Sequence, residues 1–122
     1  MNRPEPCFPV RFDALAWAED LARSTEAGRG AGIAARRRYE RGGVPRSELR
    51  PCDPEGRDGT RLPNCVKAYV PHPDGRFRIV LRAAVGPDGL EFVFLAFGVS
   101  HHPAGSHART VYQIAHDRLR PA

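Results

Sequence analysis

Lysine is almost missing from this chain: of its 19 basic residues, 18 are arginine and only Lys67 is lysine. Cysteine is scarce too. Cys7, Cys52 and Cys65 are an odd number with no C-x-x-C pair, which argues against a disulfide framework and against the usual zinc and dithiol spacings. No apolar run approaches the ~20 residues of a membrane-spanning helix. The opening MNRPEPCFPVRF has no apolar stretch of the kind that marks a secretory signal. From these absences a cytoplasmic protein with no membrane partner is expected. P-loop, dinucleotide-binding, H-E-x-x-H and G-x-S-x-G motifs are also missing, so no cofactor is expected. Cys52, Cys65, His72 and His101 carry suitable donor atoms, but their spacing matches no zinc module, and no metal is expected either.

What is present fits one small domain. A chain of 122 residues, 41% of them hydrophobic, can bury one proper core but not two. The net charge is +5 and the pI about 9.7. Arginine offers a planar fork matched to phosphate, and its guanidinium stacks on bases, so nucleic acid is the expected partner. Net charge alone is weak support for that, because arginine bias also follows from genome composition.

Local signals divide the chain into an α+β order. Residues 1–11 hold three prolines and read as an irregular lead-in. A helix is expected over 13–24, with Asp13 as N-cap and an apolar stripe of Phe12, Leu15, Ala16 and Ala22, broadened by Ala18 and Leu21. GRGAG at 28–32 should break it, and a second helix over 33–41 should end at Gly42-Gly43. Prolines 45, 51, 54 and 63 make 44–64 a long polar loop, with a short element near Leu49 and disorder over 53–60. Strands at 66–70, 76–85 and 90–99, separated by Pro-Asp-Gly turns, form an antiparallel meander of three or four strands. A three-residue turn at Pro87-Asp88-Gly89 would set Gly86 opposite Leu90. Phe77, Ile79 and Leu81 would then lie beside Val99, Phe97 and Leu95, with Arg78, Val80 and Arg82 on the other face near Phe92 and Phe94. After a polar loop, Thr110-Val-Tyr-Gln113 has the form of a capping box opening a short C-terminal helix.

Three groups of residues could carry chemistry. Arg76, Arg78 and Arg82 alternate along one strand and could follow a phosphate backbone, or they could simply solvate a sheet face. His101, His102 and His107 sit in the loop after the last strand, where imidazoles could move protons in RNA cleavage or be incidental surface residues. Tyr112 and His116, four apart, share a helix face; the tyrosine could stack on a base, or pack its ring at the core edge.

The segments RFRIVLRA (76–83), FVFLAFGVSHH (92–102) and VYQIAHDRL (111–119), following two helices, resemble the RelE/ParE toxin superfamily over the C-terminal half of the chain. The pattern is an arginine-bearing strand, a hydrophobic strand ending near Gly-His, and a Val-Tyr helix start. The resemblance implies one RelE-like α+β domain over 1–122. It also implies an mRNA endonuclease acting on the ribosome, with an acidic antitoxin as partner. By that analogy Arg82 stabilises the phosphorane, His101 or His102 moves protons and Tyr112 orients the nucleotide. Arg76 and Arg78 hold the backbone, with Lys67 and Arg109 as further nucleic-acid contacts. The alternative is a non-catalytic nucleic-acid-binding or protein-interaction module on the same fold, since the ParE branch does not cleave RNA. The loop HHPAGSHART is longer here than the family's usual link, and oligomeric state is left open.

Overall fold

A computed structural model describes residues 5–56 and 60–120. The chain is α+β. Two short strands, β1 (Cys7–Phe8) and β2 (Val10–Arg11), precede helices α1 (Ala14–Arg23) and α2 (Glu26–Gly42). Then come β3 (Val44–Pro45), a 3₁₀ turn (Arg46–Glu48), β4 (Leu49–Pro51), β5 (Cys65–Tyr69), β6 (Phe77–Gly86), β7 (Gly89–Val99) and helix α3 (Val111–Leu119). The main sheet has five strands in the order β2-β7-β6-β5-β4, and β1 pairs with β3 in a separate two-stranded ribbon. The meander is antiparallel as expected, but β2 lies parallel to β7, so the sheet is mixed.

The lead-in is therefore not irregular throughout, since residues 7–8 and 10–11 are strands; residues 1–4 of it lie outside the described chain. The 44–64 segment also has more structure than a loop. Its element near Leu49 is β4, which pairs with β5, while Leu62 is buried and donates its N–H to the Asp53 carbonyl at 2.9 Å. Of the stretch read as disordered, 57–59 lie outside the described residues, whereas Asp53 and Thr60 take defined places and Thr60 is buried.

Asp13 caps α1 as expected, accepting from the Ala16 N–H at 2.8 Å. The buried face differs from the expected stripe. Trp17 and Asp20 are inside with Ala16 and Leu21 against the core, while Leu15 is 72% exposed and Ala18 and Ala22 face out.

GRGAG does not break the second helix. Thr25 caps α2, which runs through all three glycines to a C-cap at Gly43 with φ 76°. Gly28 and Gly32 are four apart and buried, so they share the face that meets the sheet. A Cβ at Gly28 would stand 2.9 Å from the Phe77 ring, and one at Gly32 would stand 2.8 Å from the Phe97 ring. The missing side chains let the helix rest directly on those two rings.

The β6–β7 register corrects two expectations. The turn holds only Pro87 and Asp88, so Gly86 faces Gly89, not Leu90, and Leu81 faces Phe94, not Leu95. A bulge at Leu95 then adds one residue, restoring the expected partners Ile79–Phe97 and Phe77–Val99. The same bulge moves Phe92 and Phe94 to the other face. They join Trp17, Ile79, Leu81 and Phe97 in the core beneath α1 and α2 instead of lying beside the arginines. Leu95 and Ala96 both turn to the opposite core, where Val111, Ile114 and Ala115 of α3 cover Val80 and Cys65. The sheet is thus buried on both faces.

Beyond Arg11–Val93, β2 ends and the free side of β7 has no strand neighbour among the described residues. Two side chains take its place. Asp20 of α1 accepts the Phe97 N–H at 2.8 Å, and Arg118 of α3 donates to the Leu95 carbonyl at 2.7 Å. Arg118 also grips both Asp20 oxygens at 2.8 Å, and Arg23 bonds Asp20 as well. A buried ion pair thus clasps the strand edge from two helices and satisfies its backbone groups.

Candidate functional site

β5 and β6 fix which basic residues meet. Lys67 stands opposite Val80, and Tyr69 opposite Arg78, so all four point to the α3 face of the sheet. Gly98 beside Arg78 leaves room for Val111, whose Cβ would be 3.6 Å from a Cβ at that position, so the first turn of α3 lies against the end of β7. The capping box fixes that turn: Thr110 Oγ1 accepts from Gln113 N–H at 3.2 Å, and Gln113 Oε1 accepts from Thr110 N–H at 2.8 Å. Tyr112 is thereby held over the sheet.

The result is a patch of alternating cations and rings. The Lys67 ammonium lies 5.3 Å from the Tyr112 ring centroid, and the Arg78 guanidinium lies 3.7 Å from the Tyr69 ring centroid. Arg78 also donates to the Gly75 carbonyl at 2.6 Å and the Phe77 carbonyl at 3.0 Å, which fixes its plane. Tyr69 is 58% exposed. Burial pushes the Tyr112 hydroxyl above the ordinary tyrosine range, against the pull of Lys67 and Arg78. Tyr112 is therefore a neutral phenol at physiological pH, able to stack and to donate a hydrogen bond.

The other expected site residues are placed elsewhere. Arg82 faces Cys65, four residues along β6 from Arg78 and roughly 13 Å away at the rise of a strand. It lines a 410 Å³ pocket with Arg61, Asn64, His116 and Arg120. Arg76, His102 and Arg109 surround a second cavity of 540 Å³, joined by His107 and Arg23 over a floor that includes Phe77 and Phe97. Arginines there are matched by carboxylates: Arg76 with Asp74 at 3.5 Å, Arg109 with Asp117 at 2.6 Å, and Arg23 with Asp20. His102 Nε2 meets the Arg109 carbonyl at 2.9 Å. His101 is exposed and bonded to its neighbour Ser100.

The expected catalytic set of Arg82, His101, His102 and Tyr112 is thus spread over three places. The structure gathers Lys67, Arg78 and Tyr112, and it adds Tyr69. The missed signal was the register of the first hairpin, which sets Lys67 and Tyr69, two apart on β5, on the face of Arg78. Among the described residues no group of three or more His, Cys, Asp or Glu side chains is placed to hold a metal ion, and no helix is long and apolar enough to cross a membrane. Of the residues with zinc-binding atoms, His72 packs its ring on Phe77 at 5.0 Å, while Cys52, just past β4, donates its N–H to the Cys65 carbonyl of β5 at 3.0 Å.

Set against protein-family models, curated proteins and solved structures, the chain matches none of them.

Proposed function

We propose that the chain acts on single-stranded RNA as a RelE-like toxin endonuclease, with Lys67, Arg78 and Tyr112 as its working residues. The observation that carries this reading is the patch itself: two cations and two rings interleaved on one face, a composition suited to phosphates and unstacked bases. The order of elements agrees with the resemblance, in which helices precede an antiparallel meander and a Val-Tyr helix start follows a strand end.

In the proposed reaction the 2′ oxygen attacks the adjacent phosphorus, forming a cyclic phosphate and releasing the 5′ oxygen. Arg78 stabilises the charge that gathers on phosphorus oxygens, in place of Arg82. Lys67 protonates the departing 5′ oxygen, and Tyr112 stacks on a base or hydrogen-bonds the phosphate. No described histidine or carboxylate is hydrogen-bonded into the patch to accept the 2′-hydroxyl proton. The 2′-hydroxyl proton therefore leaves to a solvent water as the oxygen attacks, and the rate relies on a message held in an attack-ready conformation on the ribosome, where the resemblance puts the reaction. An acidic antitoxin would be the neutralising partner.

The second reading, a nucleic-acid-binding module without catalysis, is favoured by that same lack of a base. The test is induced expression in a bacterial host, following growth and message integrity together. Cut messages and growth arrest are expected with the unaltered chain, lost by at least about 100-fold in Arg78→Ala. Intact messages with salt-sensitive RNA binding would replace the enzyme by the binding module. Intact messages with no RNA binding would end both.

A further inference from the structure

The pocket around Arg82 is built differently from the cavity around Arg76. Arg76, Arg109 and Arg23 each meet a carboxylate, as do Arg38 and Arg118 elsewhere. Arg61 and Arg82, which line the 410 Å³ pocket, meet none among the described residues. Arg120 adds a third guanidinium, bonded to Asp117 at 2.8 Å on one side. His116 Nδ1 lies 3.0 Å from the Arg61 carbonyl. A carbonyl only accepts, so Nδ1 carries a proton, and the guanidiniums, not this ring, supply the donors for an anion. Asn64 contributes an amide, while Pro63, Ala83 and Leu119 supply apolar wall. Convergent guanidiniums, two of the three without a matching acid among the described residues, describe a site for an anion.

Position says which anion. Arg78 and Arg82 alternate to the same face of β6, and Tyr112 and His116 lie four apart on one face of α3, about 6 Å along the helix axis. Tyr112 belongs to the Lys67–Arg78 patch and His116 to the Arg82 pocket, so one flank of α3 joins the two. We propose that the pocket is a phosphate-binding subsite that takes a second phosphodiester group of the RNA strand whose first is held at Lys67 and Arg78. This rests on the RNA reading above, and it gives Arg82 a binding role in place of the catalytic one.

The test uses the full chain with two fluorescein-labelled probes, a single-stranded RNA hexamer and a dinucleoside monophosphate, titrated at several salt concentrations. Arg61→Ala/Arg82→Ala should weaken the hexamer roughly tenfold and lower its log K against log salt slope by about 0.7 for each phosphate no longer neutralised. Affinity for the dinucleotide should stay within about twofold, because it carries one phosphate. Lys67→Ala/Arg78→Ala should weaken both probes. Arg37→Ala/Arg41→Ala removes the same charge from exposed positions on α2 and should leave both nearly unchanged. Equal losses in the α2 variant, or an unchanged hexamer in the pocket variant, would overturn the subsite. A separate arm follows His116 ring resonances during titration with pyrophosphate. Shifts that vanish in Arg61→Ala/Arg82→Ala would uphold a phosphate site even if no RNA bound, in which case the RNA reading alone would fall. No shift in the unaltered chain, with no RNA bound, would remove the subsite as well.

Discussion

Asp20 shows how much one buried side chain can be asked to hold. Its carboxylate accepts from Arg118, Arg23 and the Phe97 N–H, and its side chain is wholly shielded from water. Removing it would strand the Arg118 guanidinium and a strand-edge N–H together. Asp20→Ala should therefore lower unfolding free energy by about 3–5 kcal/mol, read from urea denaturation. A loss under about 1 kcal/mol would mean that water replaces the carboxylate at no great cost. Tyr39 presents the opposite case. Its ring is at the centre of the core, its hydroxyl is buried beside Arg38 and Glu48 with no hydrogen bond of ordinary geometry among the described residues, and burial pushes that hydroxyl up to about 12. Taking away an unsatisfied group removes its desolvation penalty. Tyr39→Phe is expected to leave the urea midpoint unchanged or raise it; a clear fall would show that the hydroxyl has a partner in solution.

At the scale of elements, the glycines of α2 separate two roles that look alike in sequence. Gly30 has nothing within 4 Å of where a Cβ would stand, whereas Gly32 meets Phe97 ring carbons at 2.8 Å. Gly30→Ala should stabilise by about 0.5–1 kcal/mol through helix propensity. Gly32→Ala should cost about 1–3 kcal/mol through overpacking. Thermal midpoints moving in the same direction for both would refute the close seat of α2 on the sheet. This contrast also explains what could be read in advance. Asp13, Gly43 and the Thr110–Gln113 box are local signals, and each marks its helix end in the structure. GRGAG misled because glycine is a helix breaker by propensity, while its value here lies in contact with rings more than 40 residues away. The bulge at Leu95 was equally hidden, since one extra residue leaves an apolar strand looking apolar and only the partner strand reveals which face each phenylalanine takes. The candidate site suffered from the same limit. Alternation correctly set Arg78 and Arg82 on one face, but it could not tell that Tyr112 lands at the Arg78 end.

Across the whole molecule, a net charge of +5 means that the carboxylates hold together a surface that would otherwise repel itself. Three of them lie below the ordinary carboxylate range. Glu48 is held down chiefly by two hydrogen bonds from Arg38 at 2.7 Å, Asp74 by the Arg76 backbone N–H at 3.0 Å, and Asp117 by the Arg109 side chain at 2.6 Å. A carboxylate with a depressed folded pKa contributes stability that is fully present above its unfolded value, ~4 for these side chains, and is lost as pH falls through the folded value. The urea midpoint should therefore stay level as pH drops from neutral to about 5 and decline steeply below about 4. Protonation there also leaves Arg38, Arg76, Arg109 and Arg120 without their acids, so self-repulsion adds to the loss. Glu48→Gln should flatten part of that decline, because Glu48 joins Arg38 of α2 to the turn before β4. Added salt should soften the remaining decline, since the repulsion among exposed arginines is screened over about 10 Å at 0.1 M. A midpoint falling steadily from pH 7 to 5 instead would show that these three carboxylates do not set the acid response.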